Sequence, residues 1–326
     1  KPYSHGRDNI GIPLHISTNN AVVTRASVGD VYDQIVKDLQ KASELMGASR
    51  GNTGYPSKTT ALGILSRVYL YMENWQECVN TVNAMLGGAN AATKLDANLA
   101  NLFINAKTSS EVLFCLAHET IGDDMGQSSI GSMYLHSDEE AIGWGEIYPS
   151  NPLLYLYERY PMDVRYSGII LPQYLEAGTM TAYLPIEAQE GGISTGRSNM
   201  IAIATPAGDN YTCTIDGTTY TIEKRTINGE YSEYWMNYKG EDVQVRVHPV
   251  MQNRKQIPIY YINKFSYQDG DPMLSSPIVC RWGEVILNRA EAYAHMGGKD
   301  AEALADVNVL RERAGIPADG MFAAGK

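Results

Sequence analysis

The chain has little of what most readily declares a function. Its four cysteines, Cys78, Cys115, Cys213 and Cys280, are scattered with no close pair. That excludes a zinc ribbon and argues against a disulfide framework, so buried thiols are expected. Cations are in the minority: Lys and Arg total 26 against 37 Asp and Glu, a net charge of −11. Neutralising phosphate needs a basic surface, so nucleic acid is not an expected partner. No apolar run approaches the ~18 residues of a membrane-spanning helix, and neither a signal peptide nor a lipid-bearing cysteine is visible before Cys78. Attachment to a membrane would therefore depend on an anchor or a partner outside these residues.

The usual signatures of catalysis are missing too. The chain contains no H-E-x-x-H, no P-loop and no G-x-G-x-x-G. His5, His15, His118, His136, His248 and His295 show no ligand spacing, so neither a metal nor a cofactor is expected. Gly192 to Gly196 formally fits G-x-S-x-G around Ser194, but a nucleophile elbow needs a buried strand before it and a helix after it. Here a Glu-Ala-Gln-Glu-Gly run precedes and a turn-rich stretch follows. Asp123-Asp124 and Asp138-Glu139-Glu140 could supply a glycosidase acid pair, whose separation a sequence does not show; solvated loop acids are the simpler reading. No catalytic residue is assigned, and the chain is expected not to be an enzyme.

What the chain does have is helical pairing. In Arg281 to Gly315, Trp282, Val285, Ile286, Ala290, Tyr293 and Ala294 recur every three or four residues, as on one helix face. Gly297-Gly298 breaks that helix. Asp300 is placed to cap a second, striped by Ala303, Leu304, Val307, Leu310 and Ala314 and stopped by Gly315 and Pro317. The same layout occurs at 59–86, with Ala61, Leu62, Leu65, Val68, Tyr69 and Met72 in one stripe and Trp75, Cys78, Val79, Val82 and Met85 in the other. Its spacing is close to a tetratricopeptide register. The copies lie more than two hundred residues apart, too far for a tandem solenoid, so a large insert must sit between them. A further helix, capped at Ser27 with Asp30 and striped by Val28, Val31, Ile35, Leu39, Ala42 and Met46, should pack on the 57–86 pair.

The period changes inside the insert. Cys115 lies in an apolar run, 112–117, that reads as a buried strand. Thr212 to Ile222 with Asp216-Gly217 at its centre is a hairpin with a type I′ turn. Asn228-Gly229 marks another turn, and Val243 to Val247 and Ile257 to Tyr261 read as short strands. Aromatic usage is skewed: 22 Tyr against 4 Phe, with 16 of the tyrosines between Tyr134 and Tyr267. Tyrosine suits sugar rings and peptides, and it suits ordinary core-capping equally well. The segment Tyr134 to Tyr148, YLHSDEEAIGWGEIY, concentrates candidate ligand contacts. Trp144 stands between two glycines that permit close backbone approach. Tyr134, Tyr148, His136, Asp138 and Glu139 add rings and hydrogen-bonding groups. The alternative reading is that Trp144 is a wedge packed under a loop.

Four blocks, VYDQIVKDLQKASELM at 31–46, SKTTALGILSRVYLYMENWQECVNTV at 57–82, the GWG and DVR region at 143–165, and YYINKF with the closing helix pair at 260–315, together resemble the SusD/RagB family of outer-membrane nutrient-binding lipoproteins of Bacteroidetes. The resemblance implies a mainly α fold, with tetratricopeptide-like helix pairs carrying a large loop-rich insert with short β-strands. It implies one SusD-like domain over 1–326, divided into a helical repeat part at 27–86, a mixed insert at 87–265, and a C-terminal helix pair with a truncated tail at 266–326. It also implies non-catalytic capture of an oligosaccharide or peptide at the cell surface and delivery to a SusC-like TonB-dependent transporter in the outer membrane. The family's lipid anchor and closing tail are absent from this chain, which reads as an internal fragment. Ligand-facing aromatics in the family come partly from loops after the second helix pair, where Trp144 falls. Two rival readings stay open: a helical-repeat scaffold that binds protein, and a glycoside hydrolase with an unrecognised acid pair.

Overall fold

The structure, a computed structural model, describes every residue except 1–2, 19–21, 49–50, 125, 136–142, 191–192, 230, 253–257 and 326; for 185–190 and 193–200 it describes the backbone alone. The helices are α1 (Val28–Leu45), α2 (Lys58–Tyr71), α3 (Trp75–Leu86), α4 (Leu99–Ile104), α5 (Ile130–Tyr134), α6 (Asn151–Glu158), α7 (Val164–Ser167), α8 (Trp282–His295) and α9 (Asp300–Arg313). The strands are β1 (Ile10–Pro13), β2 (Arg25–Ser27), β3 (Val112–Cys115), β4 (Ile170–Pro172), β5 (Met180–Glu190), β6 (Ile193–Ala207), β7 (Asn210–Ile215), β8 (Thr218–Ile227), β9 (Tyr231–Tyr238), β10 (Glu241–His248), β11 (Tyr260–Ile262) and β12 (Ile278–Arg281). They fall into two compact units, one of residues 1–144, 152–169 and 263–326, the other of 145–151 and 170–262.

Helices dominate the first unit, and their starts follow from local chemistry. Ser27 Oγ accepts from the Asp30 N–H (3.0 Å) and donates to its carboxylate (2.7 Å). This satisfies one of the four orphan donors at the start of α1. At α2 a capping box forms with Thr60 in the place usually held by Glu, Ser57 N–H donating to its hydroxyl at 3.1 Å. The cap of α9 differs from expectation. Lys299 holds the cap position and Asp300 is the first helical residue, where with Glu302 it offsets the positive helix end. The tight Gly297-Gly298 turn, with Gly298 at φ +76°, starts the helix one residue earlier than the Asp300 pattern suggests.

The two sequence-distant pairs pack directly on each other. Cys78, Val79, Leu65 and Tyr69 share a buried cluster with Ala292, while Val82 and Leu86 share another with Trp282, Val285 and Cys280. Polar links cross the same interface: Asn288 Nδ2 donates to Ser66 Oγ (3.1 Å), Arg67 pairs bidentately with Glu284, and Arg289 reaches both Asn83 and Asp306. α1 lies along α2. All four cysteines are buried thiols, and burial pushes Cys78 and Cys280 up to about 12.

Strand β3 pairs antiparallel with β12, and just before β3 lies Glu111, 0% exposed. Its carboxylate accepts from Arg281 (2.5 Å), from Arg313 (2.8 Å) and from the Asp96 backbone N–H (2.8 Å). One carboxylate thus ties the start of α8, the end of α9 and the loop before α4 to β3.

The second unit is built of strands, and here expectation needs correcting. In place of a loop-rich insert with short strands, β5 to β10 form a closed antiparallel barrel in sequence order, with β10 returning to pair with β5. Closure removes exposed edges. "Mainly α" therefore does not extend to this unit. Side chains alternate inward with period two: Ala182 and Leu184, Cys213 and Ile215, Val243 and Val245. Tyr211 meets Tyr234 edge-on at 5.5 Å between ring centroids, and Tyr220 meets Tyr238 at 5.4 Å. Four of the insert's tyrosines therefore pack against the barrel core. The Asp216-Gly217 turn has φ of 48° and 76°, as type I′ requires, and pairs Ile215 with Thr218. Lys239-Gly240 repeats the device at 52° and 95° between Tyr238 and Glu241.

Two predictions follow from the buried groups. Glu111→Ala leaves two guanidiniums facing each other without a counter-charge and should cost ~3–5 kcal/mol of stability in chemical denaturation. The thiols should resist a disulfide reagent at pH 8 until the chain unfolds. Because Cys78 and Cys280 titrate higher folded than their ordinary 9.0, the unfolded chain ionises first. Their contribution to stability is complete below pH 9 and is lost as pH rises toward 12. A melting temperature that holds level across that window would contradict it.

Candidate functional site

Trp144 is positioned by α5 and by the turn ahead of it. Ser129 caps this short helix, its side chain accepting from the Ser132 N–H at 3.1 Å. Gly131 lies so close to the 263–275 segment that a Cβ there would sit 2.3 Å from Phe265 O. Ser132 O then accepts the Trp144 N–H at 2.6 Å, and Gln127 O accepts both Ser132 Oγ (2.5 Å) and the indole Nε1–H (2.8 Å). The indole is tied at its one polar edge and still 59% exposed. It is not a wedge in a core.

Gly143 makes this arrangement possible. Its φ is +68°, and an added Cβ would lie 2.0 Å from Leu135 O. Any side chain there meets backbone, which has no rotamer to give way. Gly145, at φ +54°, shares the left-handed conformation.

The other expected contacts divide three ways. Tyr134, at the end of α5, is half-buried with its ring 5.3 Å from Phe265, so it stands behind the platform as packing. Tyr148 belongs to the second unit, where its ring lies parallel to Tyr261 at 6.4 Å. His136, Asp138 and Glu139 lie outside the described residues. No residue-type pattern marks Gln127, Ser132 or Phe265, whose roles are made by backbone carbonyls and by long-range packing. Gly143 alone was marked, by its place beside a tryptophan.

The acid and serine motifs find structural employment. Asp123 accepts the N–H groups of Thr120 and Glu119 (2.9 and 3.0 Å), which hold its carboxyl below the usual range. Asp124, buried, accepts from the Ser275 N–H at 3.2 Å. Ser194 lies within β6, paired with Gln189 of the neighbouring strand, and a strand interior is not the strand-to-helix elbow a nucleophile needs.

The model of the SusD family matches residues 110–324, a span that holds the Trp144 loop, the barrel and the closing helix pair. The chain belongs to the SusD family. A second family model, described as starch-binding associating with outer membrane, matches residues 3–70 of this SusD-family chain. Among curated proteins, the SusD-like protein P2 of Formosa agariphila is 24% identical over 303 residues, covering 92% of this chain and 50% of the relative. Among solved structures, a SusD superfamily protein of Bacteroides thetaiotaomicron superposes with a TM-score of 0.64 at 20% identity, covering 99% of this chain and 56% of the other. A laminarin binding SusD-like protein superposes at 0.58 and 22% identity, covering 94% and 59%. At these identities the likeness shows the SusD fold. The chain spans about half the length of these relatives.

Gly143→Ala should displace the Trp144 indole at a cost of ~1–3 kcal/mol, since it adds left-handed strain to a backbone clash. The measurement is the indole N–H resonance of Trp144, which should move while those of the other three tryptophans, Trp75, Trp235 and Trp282, stay in place.

Proposed function

We propose that this SusD-family chain is part of a non-catalytic surface protein that captures an oligosaccharide and delivers it to a SusC-like TonB-dependent transporter in the outer membrane. A lipid anchor outside these residues would hold it there. The observation that carries the reading is the Trp144 indole, fixed through its N–H edge and 59% exposed. That is how an aromatic ring stacks on a sugar, whose C–H groups meet the ring while its hydroxyls reach neighbouring polar groups. On this reading His136, Asp138 and Glu139, neighbours of Trp144 in the chain, add the polar contacts, while Tyr134 backs the loop as packing. The laminarin-binding neighbour supports a glycan over a peptide. On the same reading the helix pairs α2/α3 and α8/α9 form a tetratricopeptide-like frame that carries the ligand loop.

Binding here requires no bond making, so oligosaccharides should leave the protein intact, and Ser194→Ala should change nothing. Trp144→Ala should weaken glycan binding at least ~2- to 10-fold, the effect of losing ~0.5–1.5 kcal/mol of ring stacking beyond area burial. Titration calorimetry against a panel that includes laminarin, with circular dichroism as the folding control, reads this out. It belongs in the full-length protein. Unchanged affinity in a folded variant rejects Trp144 as the platform, and product formation from any glycan rejects the non-catalytic reading.

A further inference from the structure

Behind Phe265 lies a cavity of about 150 Å³ inside the first unit, lined by Phe103, Lys264, Phe265, Ser276, Arg281 and Glu284 among others. Its charges are unbalanced. Lys264 Nζ sits over two rings, 4.8 Å from the Phe103 centroid and 5.6 Å from that of Phe265, and no carboxylate pairs with it among the described residues. Arg281 gives one Nη1 bond to Glu111, but Glu111 is shared with Arg313, so one negative charge faces two positive ones. Glu284 is taken up by Arg67. Around the cavity and its ion pairs four cations, Lys264, Arg281, Arg67 and Arg313, thus face the carboxylates of Glu111 and Glu284, while Asp96 gives these groups a backbone N–H and carbonyl and its own carboxylate accepts from Ser109 and Asn98. This excess stands in a chain whose net charge is −11.

The donors also outnumber the acceptors. The Lys264 ammonium carries three N–H groups, and four of the five Arg281 N–H groups have no acceptor among the described residues. Ser276 Oγ accepts from the His118 N–H at 3.0 Å, which leaves its own hydrogen to donate. Burial, and the Arg281 charge, draw Lys264 below the usual lysine value. That is the cost of holding an ammonium beside a like charge without a partner. The ring faces relieve part of it. A bound anion would relieve the rest and would satisfy the free donors. The volume is several times a water's ~30 Å³ share of the liquid, enough for a carboxylate or sulfate group and its remaining hydration.

We infer that the Lys264–Arg281 cavity is a binding site for a small oxyanion group, a carboxylate or a sulfate, carried free or as a substituent on a saccharide. The inference stands on the cavity alone and does not require a sugar on Trp144.

The test titrates the 326-residue chain with sodium sulfate, sodium glucuronate and neutral glucose at constant ionic strength, following heat and melting temperature. Sulfate raises melting temperatures of most proteins by exclusion from their surface, an effect that rises without saturating. The diagnostic is therefore saturation together with dependence on Lys264. The expected result is a saturable response to sulfate, glucuronate or both, none to glucose, weakening at least tenfold in Lys264→Met and retained in Lys264→Arg. A response to sulfate alone assigns a tetrahedral group, and one to glucuronate alone a carboxylate. Absence of saturation in the unaltered chain overturns the site, as does a saturable response that Lys264→Met leaves unchanged. Should Lys264→Met not fold, Lys264→Gln replaces it under the same criterion.

Discussion

Glu111 is the point on which the first unit turns. Taking a carboxylate fully out of water costs several kcal/mol, and only well-placed partners return it. The partners are Arg281, Arg313 and the Asp96 N–H, drawn from segments that are far apart in sequence. The Trp282 N–H also donates to Glu111 O at 2.9 Å, so the same residue ties the end of β12 to β3 through its backbone as well as its charge. It fixes where α8 starts and where α9 ends. α8 then offers Val285 and Ala292 to the α2/α3 pair, and the repeats separated by the barrel close into one core.

The same constraint reaches the candidate sites. β12 leads back along the 263–277 segment, which carries Lys264 and Phe265. Phe265 meets Tyr134, and its carbonyl lies against Gly131. α5, so seated, supplies the Ser132 carbonyl that aligns Trp144. Phe265 thus both lines the cavity and packs against α5.

Legibility in the sequence followed the range of the interaction. Helices α1, α2, α3, α8 and α9 were readable because their signals are local: a cap at Ser27 or Ser57, a stripe every three or four residues, a glycine past the end. The one-residue error at Asp300 is the ordinary uncertainty of a boundary. The Asp216-Gly217 hairpin was readable for the same reason. β5 and β6 were not, because the Glu-Ala-Gln-Glu-Gly run and the stretch after Ser194 read as polar and turn-rich, and what holds them is pairing with each other and closure through β10. The tyrosine excess left ligand contact and core-capping both open, and Tyr211, Tyr220, Tyr234 and Tyr238 pack on the barrel core. In the candidate site Gly143-Trp144-Gly145 was legible as a presented ring. Gln127 was not, since a backbone carbonyl leaves no mark on residue type.

An exposed ring and a partly buried cation use opposite physics, and this separates what each can recognise. Ring stacking is short-ranged and indifferent to salt, and an exposed indole such as Trp144 offers it to an apolar face. Lys264 and Arg281 act through charge in a medium less polar than water, where attraction is stronger and geometry stricter. The −11 charge of the whole chain opposes an approaching anion only within a Debye length of ~8–10 Å at physiological salt. Inside that distance the local excess of cations dominates, because those charges are closer to the anion and less screened. A chain can therefore be acidic overall, excluding polyanions such as nucleic acid from its surface, and still hold one oxyanion in a recess. Discrimination between neutral and charged saccharides would then reside in the recess, and retention of either in the ring.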